Sequence, residues 1–290
     1  MMAPLFMFRS ALLLASLLVA AVASAQPVSF DQALEAREVA MGGAYRALGT
    51  SAVAIDGNPA ALGLFKAFQV DVGGAYDFAE KTWYVAGYVR DSQTSVLSGG
   101  YSFHLLSQQM DTSTGTTTVT GIQQVLALAL PVADYMTVGV SSHWLIESDL
   151  NINAASLDVG AAFKLGKLAT LGFAGHNLLD THHPLELGRY FDLSGGLQLG
   201  PLTLALDTLS NFGPKQFHPQ FLFGAEVALG KIFLLRAGTD FYTRTTTAAQ
   251  DWFLTAGFGF NIDKGGFDIG YRQSLSGDGS LFVASLRIVL

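Results

Sequence analysis

Ser141 and His143 stand two residues apart, so on an extended backbone they share one face, and their types are those of a nucleophile and its general base. Around them the sequence offers neither a Gly-x-Ser-x-Gly turn nor a convincing third partner, and catalysis is not expected. His182 and His183 precede Pro184; two adjacent imidazoles without further ligands read as a solvated loop rather than a metal site. The chain has no cysteine, which removes disulfides, thiolate metal ligands and a Cys nucleophile. A phosphate-binding Gly-rich loop with Lys and an acidic calcium loop are missing too, so the sequence calls for no cofactor and no metal. What remains is a set of charges, Asp71, Asp158, Lys164, Asp207, Glu226, Arg236, Asp240, Asp268, Arg272 and Arg287, falling on one face of successive extended segments. Charges of both signs facing one another are expected to form ion-pair networks that hold a structure rather than run a reaction.

The elements that must position these residues begin after a leader. Arg9 gives a positive start, Ala11 to Ala23 is apolar, and Ala23-Ser24-Ala25 is a small-x-small cleavage site, so residues 1–25 read as a signal peptide. Half of all residues are hydrophobic and 13% are charged, yet beyond the leader no run of about 20 apolar residues occurs, which disfavours spanning helices. The formal net charge of -7 argues against nucleic acid as a partner.

From Phe68 to Leu290 the chain divides into fourteen segments of roughly ten residues with period-2 alternation, the length of a tilted membrane strand. Leu157, Val159, Ala161, Phe163 and Leu165 oppose Asp158, Gly160, Ala162 and Lys164; Trp252, Leu254, Ala256, Phe258 and Phe260 oppose Thr255, Gly257, Gly259 and Asn261. Lipid outside and a polar lumen inside account for this split. Connections alternate between short ones, such as Gly166-Lys167, Gly230-Lys231 and Asp263-Lys264, and longer ones, including 105–121 and 211–219. The expected fold is therefore all-β, a transmembrane antiparallel barrel of about 14 strands over 68–290, in the bacterial outer membrane among its lipids, with both ends in the periplasm. The last segment alternates to its end, as a closing strand read by barrel-assembly machinery does, although it ends in Leu290 rather than an aromatic residue. Trp83, Tyr84, Tyr101, Trp144, Tyr190 and Trp252 lie near segment ends, where interfacial girdles are expected.

Between leader and first strand, residues 26–67 form a different kind of chain, rich in small residues. The pattern Ala36-Arg37, Met41-Gly42-Gly43-Ala44, Asp56, Asn58-Pro59-Ala60 and Leu62 resembles the superfamily of FadL-like and PorV/PorQ-like outer-membrane proteins. That resemblance implies a segment folded into the lumen as a plug or hatch. It also implies either passive transport of hydrophobic small molecules such as fatty acids or, alternatively, a PorV-like barrel that binds secretion-system proteins. Gly42 and Gly43 permit close approach or positive φ, and Pro59 fixes a bend and keeps Asn58 out of helix. With Asp56, these are the plug and gating candidates. Arg37, Glu38, Arg46 and Asp56 are placed to tie such a plug to charges on the wall.

Overall fold

In the computed structural model, residues 35–79, 81–112, 115–147, 151–179, 187–213, 216–243, 250–275 and 279–290 are described. The leader, residues 26–34 and the His182-His183-Pro184 stretch lie outside them.

Fourteen antiparallel strands run in chain order from β1 (Phe68–Asp77) and β2 (Thr82–Asp91) to β13 (Gly265–Ser274) and β14 (Ser280–Val289). β14 returns to pair with β1 from Gln69↔Val289 to Asp77↔Leu281, closing the barrel. Closure leaves no open strand edge, the condition for placing a sheet in lipid. Alternation in the sequence becomes alternation in space: along β6 (Ile152–Leu165) Leu157 and Val159 are exposed while Asp158, Gly160 and Ala162 are buried. Across the wall the outward set is apolar, including Val72, Val85, Leu126, Val140, Phe223 and Leu254.

Four expectations are corrected. The connection 105–121 is mostly strand, because β3 (Ser98–Thr112) and β4 (Gly115–Ala133) stay paired to Thr112↔Gly115. Thr112, Thr116, Thr117, Thr118, Val119 and Thr120 are β-branched and keep an extended backbone, even though they carry no lipid-facing pattern. Of the span 211–219, residues 211–213 likewise belong to β9 (Leu202–Gly213) and residues 216–219 to β10 (Gln216–Leu229). Tyr84 and Tyr190 point inward, on the opposite face to exposed Trp83, Trp144 and Trp252. Finally, the inner face is not uniformly polar, since Leu145, Leu209, Leu222, Phe253, Leu281 and Val283 also point into the barrel and are buried.

The reason is what fills the barrel. Residues 35–64 lie within it as a short helix α1 (Ala36–Ala40), a single turn α2 (Ala54–Gly57) and a 3-10 turn (Pro59–Gly63). α1 packs on β11 (Phe233–Thr243), β12 (Gln250–Ile262), β13 and β14; the 3-10 turn packs on β3, β4, β5 (Met136–Glu147) and β6. Met41, Ala44 and Leu48 cluster with Tyr190, Leu209 and Leu222, while Ala36 and Val39 cluster with Ala75, Leu281 and Val283. The wall's inner face meets polypeptide rather than water, so burying apolar side chains there is favourable.

Candidate functional site

Polar contacts hold the inner segment to the wall at several places. Arg37 donates from Nε and Nη2 to the two Glu226 oxygens at 2.9 and 3.0 Å, a bidentate pair, and from Nη1 to Thr50. Glu226 also accepts from Arg236 at 2.6 Å, and Arg236 reaches Asp268 at 2.6 Å on a strand two further round the barrel. That bridge passes over Gly259 of β12, where an added Cβ would sit 2.8 Å from an Arg236 nitrogen. Arg287 lies 3.9 Å from Asp268 and donates to Asn261 at 2.6 Å. Burial opposes the charge on Arg37, but Glu226 outweighs it and holds the guanidinium above its ordinary value.

At the second place, one oxygen of Asp207 accepts from the backbone N–H groups of Tyr45 and Arg46 at 2.8 and 3.0 Å and from the Arg46 guanidinium at 3.3 Å. Third, Asp56 lies 3.0 Å from His104 Nε2 and accepts from the Ser102 hydroxyl at 2.6 Å. Burial alone would raise the Asp56 carboxyl, yet His104 and Ser102 together hold it below the usual range.

Fourth is the Asn58 corner. Its side-chain oxygen accepts from Ala60 N at 3.0 Å, capping the 3-10 turn, while its amide donates to Ala161 O and Phe173 O on β6 and β7 (Ala169–His176). Pro59 occupies the first position of that turn, where its missing N–H is harmless. Asn58→Ala removes the cap and two wall bonds, and should lower the midpoint for release of the segment by about 1–2 kcal/mol in a protease-protection titration.

The fifth is Arg90 of β2, buried and bonded to backbone carbonyls alone among its partners from the segment: Gly49 at 2.7 Å, Ser51 at 3.2 Å, Leu62 at 3.4 Å and Phe65. Sequence reasoning passed over Arg90, His104, His176 and Asp192, because a polar residue at an inward position carries no sign of which carbonyl or ring it will meet.

Of the other wall charges, Asp71 accepts from Gln69 at 2.6 Å, Asp240 accepts from Gln220 at 2.7 Å, and Arg272 stacks on the Phe253 ring at 4.7 Å. Lys164 sits near the short-turn end with its ammonium 4.4 Å from the Phe65 ring centroid. Gly42 has φ +65° and Gly43 φ +76°. Gly42 N donates to Thr255 Oγ1 at 3.0 Å, with the backbone pressed against β10 and β11.

Ser141 and His143 do have the acid that the sequence reading lacked. Asp158 Oδ2 lies 2.5 Å from His143 Nε2 and 3.2 Å from Ser141 Oγ. Serine and aspartate both meet the same nitrogen, whereas a relay needs them on opposite nitrogens, so the hydroxyl is not activated. His176 extends the network, with Nδ1 3.1 Å from Asp158 and Nε2 2.8 Å from Asp192, and its ring stacks on Tyr190 at 4.2 Å. Asp158 also accepts from Asn177 N at 2.8 Å, where the chain leaves the wall after β7. Among the described residues no group of three or more histidines and carboxylates is arranged to hold a metal ion.

Glu38 of α1 is buried, and burial pushes its carboxyl above the ordinary range against the pull of Arg37. A raised folded value means that its contribution is fully present below the ordinary carboxylate value, about 4.3, and is lost as pH rises through the folded value. Protease sensitivity of residues 35–64 should therefore grow as pH is raised above that range, and Glu38→Gln should flatten the dependence. An unchanged slope in Glu38→Gln would remove Glu38 as the cause.

Two adjoining cavities of about 250 and 610 Å³ lie at the short-turn end and share Arg37, Thr50 and Glu226. A closed 14-strand barrel with an apolar outer belt and an N-terminal segment packed within defines a class of membrane protein. No family model matches the sequence, and no curated protein does. Solved structures do match. A FadL homologue from Pseudomonas aeruginosa is 14% identical with a TM-score of 0.65, covering 92% of this chain and 99% of that one. For the CymD monoaromatic hydrocarbon channel the values are 9%, 0.62, 87% and 97%. The Pseudomonas putida toluene transporter TodX gives 13%, 0.59, 91% and 99%. The chain has the FadL-like barrel fold.

Proposed function

We propose that the protein is an outer-membrane barrel that passes hydrophobic small molecules, fatty acids among them, without an energy source, its short turns facing the periplasm. The observation that carries this reading is a set of apolar side chains on the long-loop side of the barrel. There Leu145, Ile152 and Ala154 of β5 and β6 cluster with Leu187, which precedes β8 (Tyr190–Leu199), and Phe253 is buried on the far wall. The fold shared with the CymD monoaromatic hydrocarbon channel and the toluene transporter TodX supports it. A ligand entering from outside meets these apolar side chains between inward polar groups such as Glu147, Asp240 and Arg272, and leaves when the inner segment moves or through the wall. In this mechanism residues 26–67 are a plug, Asn58 and Pro59 set its corner, Gly42 and Gly43 govern its seat, and Asp56 ties it to the wall.

The test is uptake into proteoliposomes of a radiolabelled long-chain fatty acid and of toluene. Uptake of either above protein-free vesicles is expected; absence of both in a correctly inserted barrel overturns the reading. A second reading, a PorV-like barrel that binds a secretion or assembly partner, draws support from the close packing of the lumen around residues 35–64. Native mass spectrometry of protein taken from membranes separates the two, because a retained small molecule favours transport and a retained protein favours docking.

A further inference from the structure

The chain as a whole is acidic, with 16 Lys and Arg against 23 Asp and Glu, but its short-turn mouth is not. Six cationic residues, Arg37, Lys164, Lys167, Lys231, Lys264 and Arg287, line the two adjoining cavities there, against two acids, Glu226 and Asp263. Arg37 and Glu226 are paired and offset one another, which leaves five cationic residues in the lining against Asp263 alone. The lysines come from three different short turns or their flanking strand ends: Lys164 and Lys167 between β6 and β7, Lys231 between β10 and β11, Lys264 between β12 and β13. Like charges gathered around a concave mouth raise the local potential and draw in anions. The smaller cavity adds an apolar wall, made by Leu48, Phe65, Leu168 and Leu197, beside Lys164 and Lys167.

We propose that this mouth is a binding site for a phosphate-type oxyanion, with the apolar wall accepting a short alkyl chain when the anion is the head of an amphiphile. Several ammonium groups from separate turns suit an anion with three outer oxygens and up to two charges. The site stands apart from the transport reading, because binding at the mouth does not require passage through the barrel.

The experiment is calorimetric titration of the full chain in neutral maltoside micelles, free of phosphate buffer, with octyl phosphate, inorganic phosphate and 1-octanol. Octyl phosphate should bind saturably and about tenfold or more tightly than 1-octanol, and the difference should vanish at about 1 M salt, where the screening length falls to about 3 Å. The variant Lys164→Gln, Lys167→Gln, Lys231→Gln, Lys264→Gln should lose that preference, while Lys81→Gln at the opposite end should keep it. Heat-modifiable gel migration verifies that each variant is a folded barrel. If inorganic phosphate binds as tightly as octyl phosphate, the site stands and its ligand is a free oxyanion; if octyl phosphate is much tighter, the ligand is an amphiphile. Equal binding of 1-octanol, absence of binding by both phosphates, or full retention in the fourfold variant overturns the proposal. Uptake of neutral hydrocarbons is read separately, so either result leaves the transport test intact.

Discussion

Arg236→Met should destabilise the folded barrel by about 3–5 kcal/mol, the range for removing one partner of a buried ionic network. Arg236 is the centre of that network, donating at 2.6 Å to both Glu226 and Asp268, and its side chain is fully buried. Methionine keeps the length and much of the apolar stem but leaves Glu226 with Arg37 alone, and Asp268 with Arg287 at 3.9 Å. The measurement is a denaturant titration of the reconstituted barrel, monitored by tryptophan fluorescence, with midpoint and slope compared with wild type. Arg236→Met combined with Asp268→Asn should recover part of the loss, because the stranded carboxylate is then neutral. A loss below about 1 kcal/mol in the single variant would mean that water reaches the pair and screens it as it does a surface ion pair. Gly259→Ala is the companion test, since its methyl must displace the Asp268 carboxylate and the Arg236 guanidinium that meet above it.

The second large effect is expected at Gly42. Its φ of +65° lies in the left-handed region, and an added Cβ would stand 2.5 Å from Phe223 O, 2.6 Å from Thr239 O and 2.7 Å from Thr239 N. All three are backbone atoms of the wall, so no rotamer change relieves the contact. Gly42→Val adds a β-branched side chain to that conformation at a cost above the usual ~1–3 kcal/mol of backbone strain. Because ~1.4 kcal/mol already shifts a two-state ratio tenfold, single-channel conductance in planar bilayers should rise, with open events about tenfold or more frequent. Gly43→Ala is the matched control. Its φ is also positive, but its Cβ would meet only the Leu222 side chain, at 3.5 Å, so a smaller change is expected. If Gly42→Val inserts normally and conducts like wild type, residues 35–64 are a fixed filling rather than a movable plug, and the gating part of the proposed function fails.

These two residues show how differently parts of the molecule can be read from the chain. The barrel was legible because its determinants are local: period-2 alternation over about ten residues states which face meets lipid, and turn residues such as Gly166-Lys167 and Asp263-Lys264 mark where a strand stops. Strand number and closure follow from those segments and from the cost of an open edge in lipid. Inward charges could also be assigned to a face, since parity alone decides it.

Which charge meets which could not be read, because partners such as Arg37 and Glu226 are 189 residues apart and come together only when the segment lies inside the closed sheet. Tertiary structure alone placed Asp158 beside Ser141 and His143, aimed Arg90 at four carbonyls, and gathered lysines from separate turns around one mouth. It also decided that inward Leu209, Leu222 and Val283 are buried against residues 35–64 rather than misplaced in a polar lumen. Alternation along a strand tells lipid from interior; it carries no information about what occupies the interior, which depends on how a distant segment of the same chain fills the space the strands enclose.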